Sequence, residues 1–451
     1  MAKLWIRDPL AIFAEDAGRG IVINNNLIVE LVPSGREPRK AVDTVWNASA
    51  HVVLPGLVNT HHHFYQTLTR SLAPALGKEL FDWLKALYPV WAWLTPEMLA
   101  VATELALSEL LLSGCTTSSD HHYIFPPGLD QAIDVQAESA SLIGIRTVLT
   151  RGAMNLSQED GGLPPKLVVQ DSDTILKDCE RVVNLFHQRG PDAMIQVALA
   201  PCSPFSVTRS FMSDSAELAE KLDVRLHTHL GETENENEFC LQNFGIRPLD
   251  YLEETGWLLP RTWLAHGIHF NDLEIKRLGR AGTAVSHCPH SNMALSSGLC
   301  PACNLEQAGS PLGLGVDGSS SNDASNAIEE VRAALMLQRL REGSAKVGHL
   351  DALRWATKGG AECLGRDDLG EISVGKQADL AMFKLEELRH SGHGDPLAAL
   401  VLCGANRADW VMVGGKWLVE NGNATHINEA DLIRRHNQAA RKLRQISGLE
   451  A

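Results

Sequence analysis

The sequence predicts a (β/α)8 barrel joined to a small β-sandwich built from both ends of the chain, and three observations predict it. Eight short apolar runs that close on polar residues recur between positions 57 and 317. Helical patterns lie between many of them, as in βα units with parallel strands, and eight such units make a barrel. Outside this region the texture is β alone, with short apolar runs separated by turn residues.

At the amino end, residues 4–6, 21–23 and 27–32 read as strands, with Asn24-Asn25-Asn26 as a turn, and a further strand covers 51–54. Pro55-Gly56 punctuates the chain before the first barrel strand, 57–63. The other seven runs are 116–120, 146–151, 195–201, 224–229, 263–266, 283–287 and 312–317. Helical stretches include 96–113, 173–188, 213–222 and 326–341, and no fixed-period repeat accompanies them. Past Gly365, residues 370–372, 378–383 and 411–419 are strand-like, the last containing the hairpin pair Gly414-Gly415. Residues 428–443 form a basic amphipathic pattern suited to a packing helix. The organisation expected is a composite sandwich of 1–54 with 366–425, a barrel over 55–365, and a terminal helix over 426–451.

Composition narrows the function classes. A chain of 451 residues with 44% hydrophobic and 21% charged content is that of a globular protein with one large domain and a minor one. Its formal charge of −15 argues against a partner rich in phosphate, so neither nucleic acid nor an anionic membrane is expected. No apolar run approaches the roughly 18 residues of a membrane span, and residues 1–9 lack the apolar core and cleavage site of a secretory signal. Nine cysteines without framework spacing fit reduced thiols in a cytoplasm, and the lone CxxC at Cys300 and Cys303 has no second pair.

In a barrel of this kind chemistry sits where strands end and βα loops begin. Strand one closes on His61-His62-His63, whose period-two geometry directs His61 and His63 to one face and His62 to the other. Strand five closes on His227-Thr228-His229 with Glu232 following, strand six on His266 and strand eight on Asp317. Convergent histidines with carboxylates are the donor set of a single-metal hydrolytic site, where a divalent ion lowers the pKa of water toward neutrality.

These residues resemble the signatures of the amidohydrolase superfamily, most closely its nucleobase and triazine deaminase branch. The matching stretches are Pro55-Gly56-Leu57-Val58-Asn59-Thr60-His61-His62-His63, His227-Thr228-His229-Leu230-Gly231-Glu232-Thr233, Ala265-His266 and Gly315-Val316-Asp317-Gly318. The resemblance spans nearly the whole chain. It implies one divalent metal, zinc in most members, held by His61, His63, His229 and Asp317. It further implies that Glu232 shuttles protons, His266 orients the nucleophile, and Asp317 acts as base as well as ligand. His227 and His229 share a face, and the HxxE spacing favours His229 as the ligand. Two-metal members carry a bridging lysine or glutamate at the end of strand four, and residues 196–205 contain neither.

The implied reaction is hydrolytic release of ammonia from an amidine-like ring carbon. Adenosine-type members place a histidine where this chain has Cys202, a departure that points from a nucleoside toward a free base. The run 119–123, Gln66 and residues 201–207 resemble the 8-oxoguanine deaminases, with guanine, isocytosine and hydroxy-triazine aminohydrolases as alternatives. Gln66 has both a donor and an acceptor to meet an oxopurine's amide-like edge. Trp83, His122, Arg151 and Cys202 are the other candidate contacts, and Phe64, Trp91 and Trp93 are further candidates for covering the ring. The apolar segment 81–94 reads as a loop that serves as lid or contact, in a barrel expected to form a homo-oligomer.

Overall fold

The computed structural model describes residues 3–450, and its centre is a closed barrel of parallel strands. In chain order these are β1 (Leu57–Asn59), β2 (Cys115–His122), β3 (Arg146–Ala153), β4 (Ile195–Pro201), β5 (Leu226–Leu230), β6 (Thr262–His266), β7 (Ala284–His287) and β8 (Leu312–Leu314). The closing seam, where β8 meets β1 at Leu314 and Asn59, is short. Asn59 reinforces it: its Oδ1 accepts from Val316 N at 2.9 Å and its Nδ2 donates to Ser118 Oγ on β2 at 3.0 Å. One buried amide thus ties the first, second and eighth strand ends together.

The chain termini build two further sheets. One contains six strands and interleaves both ends, with Leu380–Lys384 pairing antiparallel to His51–Pro55. The other contains four strands, all from the first 47 residues. Ile6, Ile21, Ile23, Val53, Leu380, Met382 and Met412 fill the core they share. The hairpin between Trp410–Val413 and Lys416–Glu420 turns on Gly414 and Gly415, both at positive φ (54° and 76°). The expected strand at 370–372 does not form: Gly370 takes φ 79°, which breaks the extended path, although Ile372 is still buried in the sandwich core.

The sandwich delivers the chain directly to the barrel's first strand. His51–Pro55 continues through Gly56 into β1, and a Cβ at Gly56 would lie 2.1 Å from Thr116 Oγ1, so only glycine fits. The amphipathic helix Glu429–Ile446 packs on Pro96–Leu112 and on the turn Phe64–Thr69, where His436 Nε2 donates to Thr67 Oγ1 at 3.1 Å. All nine cysteines are free. Among the described residues no helix is long and apolar enough to cross a membrane.

Candidate active site

Every polar strand end singled out above opens on the same end of the barrel. β1 stops at Asn59, earlier than the predicted strand 57–63, but the chain stays bonded to its neighbours through Thr60 N–Leu314 O, His121 N–His62 O and Asp317 N–His61 O before the 3-10 turn Phe64–Thr69. His61 and His63 nevertheless converge, with ring centroids 4.7 Å apart. His62 turns away: its Nε2 meets Ser325 Oγ at 2.8 Å and its Nδ1 accepts from the His63 amide. His229 Nε2 stands 3.2 Å from His63 Nε2, and Asp317 Oδ1 lies 3.3 Å from His61 Nε2 and 3.2 Å from His63 Nε2.

Hydrogen-bond partners fix the tautomers of these rings. His63 Nδ1 faces the His121 carbonyl at 2.6 Å and His229 Nδ1 the Cys202 carbonyl at 2.7 Å; a carbonyl only accepts, so both protons sit on Nδ1. His227 Nδ1 likewise donates to Trp263 O at 2.8 Å, leaving its Nε2 as an acceptor for His61 Nδ1–H at 2.8 Å. His227 therefore stands behind His61 as its support, in the manner of an outer partner that orients a metal-binding imidazole. Burial drives the pKa of His61 and His229 well below the usual histidine value, so both rings are neutral. The outcome is three Nε2 atoms and a carboxylate oxygen crowded together, with His61 and His229 presenting lone pairs. His61 Nε2 has no hydrogen-bond partner at all. Such a set of buried donors is repulsive alone and fits a divalent cation.

Two residues beside this cluster adopt backbone that L-residues avoid. His266 (φ 72°) and Asp317 (φ 61°) are left-handed, at a cost of roughly 1–2 kcal/mol each, and strain of this kind collects at functional sites. The short helix Pro289–Ala294 after β7 holds both in place. Ser291 Oγ donates to Asp317 Oδ2 at 2.6 Å, and His266 Nδ1 donates to Asn292 Oδ1 at 3.0 Å. His266 Nε2 consequently faces Glu232 Oε2 at 3.6 Å and Asp317 Oδ2 at 3.9 Å. Glu232 begins the turn into Glu234–Phe244, where its amide donates to the buried Glu236 Oε2 at 2.9 Å. Burial, then the charge of Asp317, push the Glu232 carboxyl well above its ordinary pKa against a smaller opposing effect of His63, which keeps a proton on it.

The space above the cluster is lined by His63, His229, Glu232, His266 and Asp317 on one side. The helix Leu80–Trp91, not a loop as the sequence reads, covers it with Leu80, Trp83, Leu84 and Tyr88, positions spaced to share one helical face. Gln66 and Cys202 line the pocket as expected. Gln66 packs so closely on the strand-eight loop that a Cβ at Gly318 would lie 1.9 Å from its Oε1. Trp83 anchors to the same loop through Nε1 and the Ser320 carbonyl at 3.1 Å.

Two candidate contacts do not reach the pocket. Arg151 gives its guanidinium to Asp178 Oδ2 at 2.6 Å, Gly152 O at 2.6 Å and Gln170 Oε1 at 2.8 Å, and lies over the Phe125 ring at 3.7 Å, which leaves it no reach toward a base. His122 is buried against Phe125 and Tyr65, its Nε2 bonded to Ile124 O at 2.8 Å. Phe64 and Trp91 are buried outside the lining, and Trp93 is 51% exposed. Residues that strand-end reading passed over are Tyr88, Tyr123, Phe205 and Leu295 on the walls, and Ser291, Asn292 and Glu236 behind them. The polar run Pro289-His290-Ser291-Asn292 directly after a strand was the available signal for two of them.

Comparison with known proteins agrees with this geometry. The model of the Amidohydrolase family matches residues 52–418. An 8-oxoguanine deaminase of Pseudomonas aeruginosa is 60% identical over 98% of this chain and 99% of its own length. A hydroxydechloroatrazine ethylaminohydrolase of a Pseudomonas species is 37% identical, over 92% and 88%. Among solved structures, the zinc complex of an atrazine chlorohydrolase from Arthrobacter aurescens TC1 superimposes with a TM-score of 0.91 at 29% identity, covering 97% of this chain and all of that one.

Proposed function

The chain belongs to the amidohydrolase family, and from that premise we propose that it deaminates an amino-substituted oxopurine free base hydrolytically, converting 8-oxoguanine to urate and ammonia. The observation that carries the chemistry is the convergence of the Nε2 atoms of His61, His63 and His229 on Asp317 Oδ1, beside a Glu232 carboxyl that burial holds well above its ordinary pKa. The observation that carries the substrate is the 60% identical relative, together with a pocket over the donor cluster that the helix Leu80–Trp91 covers with apolar and aromatic side chains.

His61, His63, His229 and Asp317 Oδ1 would hold one divalent ion, for which zinc is our choice given the zinc-bound structural neighbour. An ion held there would acidify a water and so supply a nucleophile near neutral pH. Asp317 Oδ2, on the side of the carboxylate away from His61 and His63, takes that water's proton and passes it to the departing amine. Ser291 fixes which oxygen faces which way by donating to Oδ2. Glu232 delivers its proton to the ring nitrogen next to the reacting carbon, which neutralises charge as the carbon becomes tetrahedral. His266, held through Asn292, presents Nε2 between Glu232 and Asp317 and orients the water. Trp83 and Leu84 cover the ring and keep bulk water out. Gln66 offers an amide to the base's amide-like edge.

The test is ammonia release from a panel of aminopurines, aminopyrimidines and hydroxy-triazines. The proposal expects 8-oxoguanine to give the highest kcat/KM, with one ammonia per urate formed. Turnover of hydroxy-triazines with 8-oxoguanine and guanine both inert would reject the purine reading and keep the hydrolytic one.

A further inference from the structure

The covering helix carries a hydroxyl to which the reaction just described gives no part. Tyr88 is 1% exposed and lines the pocket, yet its Oη meets no hydrogen-bond partner. Leaving such a group buried and unpaired costs about 1–3 kcal/mol, and an unpaired polar group on a binding wall calls for a ligand atom to complete it. Burial raises the phenol's pKa well above its ordinary value, with Cys202, Tyr65 and Glu232 as its ionisable neighbours, so Tyr88 is an O–H donor at any working pH.

The two tyrosines on the wall come from different elements. Tyr123, the other tyrosine on the wall, stands beside the donor cluster, its ring 5.2 Å from His63 and 5.4 Å from His121. Tyr88 comes from the helix that roofs the pocket, where its ring lies 6.0 Å from that of Trp91. The other polar groups on the walls are weaker or already engaged. The Trp83 N–H is taken by Ser320 O, Gln66 Oε1 accepts from the Ser320 amide at 3.3 Å, and the Cys202 thiol, pushed up to about 12 by burial, is a poor donor.

On the oxopurine reading above, the reacting carbon lies in the six-membered ring, which must therefore sit against Glu232 and the histidines. The rest of the base is left to the remaining lining, which includes Leu80, Trp83, Leu84 and Tyr88. In 8-oxoguanine that ring ends in a carbonyl at C8; in guanine the same carbon bears only hydrogen. We propose that Tyr88 Oη–H donates to the C8 carbonyl and is the residue that makes the pocket prefer an 8-oxopurine to guanine.

The experiment compares wild type with Tyr88→Phe and Tyr88→Met on 8-oxoguanine, guanine and isocytosine, which lacks the five-membered ring, with metal content and melting temperature measured in parallel. Both variants are expected to lose kcat/KM for 8-oxoguanine by about 10- to 100-fold, while guanine and isocytosine stay within about threefold of wild type. An equal loss on all three substrates would make Tyr88 a packing residue and overturn the inference. Unchanged selectivity would overturn it as well. A wild type that releases ammonia from other bases but not from 8-oxoguanine would reject the substrate reading itself and this inference with it, an outcome distinct from an active but unselective pair.

Discussion

The two walls of the pocket are built on different principles. On the barrel wall nearly every polar atom is committed: each imidazole proton has an acceptor, Asp317 Oδ2 has a hydroxyl donor, and the strained His266 and Asp317 are gripped by one short helix. On the roof, one face of Leu80–Trp91 presents leucines, a tryptophan and an unpaired phenol. The first wall is preorganised for charge, so its residues have few alternatives. The second is an apolar surface with one donor in it, which is how a pocket selects among similar rings. The difference teaches that reaction type and substrate choice reside in separable elements of this chain.

That separation breaks most sharply at the donor cluster. His61→Ala or His229→Ala is expected to abolish metal retention and turnover together, as would stripping the wild type with a chelator; metal analysis beside an ammonia assay checks both. Next, Glu232→Gln should keep its metal and lower kcat by on the order of 10²–10⁴-fold. A variant that retained full activity would remove the proton-transfer role. One layer out, His227→Asn and Ser291→Ala should each cost about 10- to 100-fold in metal affinity or activity, with the order of substrates in a panel unchanged. If Ser291→Ala instead altered which bases were accepted, the two walls would not be independent.

The smallest catalytic effects belong to residues outside both walls. Arg151→Met should leave KM for the base unchanged while lowering stability by about 1–3 kcal/mol, because Gln170 and one oxygen of Asp178 lose their donor while Asp178 keeps Arg181; a melting curve and a KM measurement suffice. His62→Gln should likewise retain metal, since its ring points to Ser325 and not to the cluster.

The barrel wall was legible in the sequence because strand geometry is short-range. A histidine at a strand's carboxyl end can only open on one end of a parallel barrel, so the strand pattern alone brings His61, His63, His229, His266 and Asp317 together. Where the strand reading ran long, the cause was local: regular pairing of β1 ends at Asn59, yet backbone bonds to both neighbours persist through His62 and carry His61 and His63 to one point. The roof was not legible. Its helix reads as an apolar segment whose burial follows from packing against distant loops, as Trp83 does on Ser320, 237 positions away. Arg151 and His122 were misplaced for the same reason. The partners that occupy them, Asp178, Gln170 and Phe125, are set by tertiary packing and carry no signal in the strand itself. Asn292 and Ser291 act through groups on other strands, so the sequence shows them only as a polar run after β7.

One titration tests the central claim most directly. Metal-free protein is given increasing equivalents of zinc, and ammonia release from 8-oxoguanine is measured at each step. The structure predicts that activity rises linearly and levels off at one equivalent per chain, with urate formed in equal amount to ammonia. A plateau at two equivalents, or no ammonia from 8-oxoguanine at any zinc level, would contradict it.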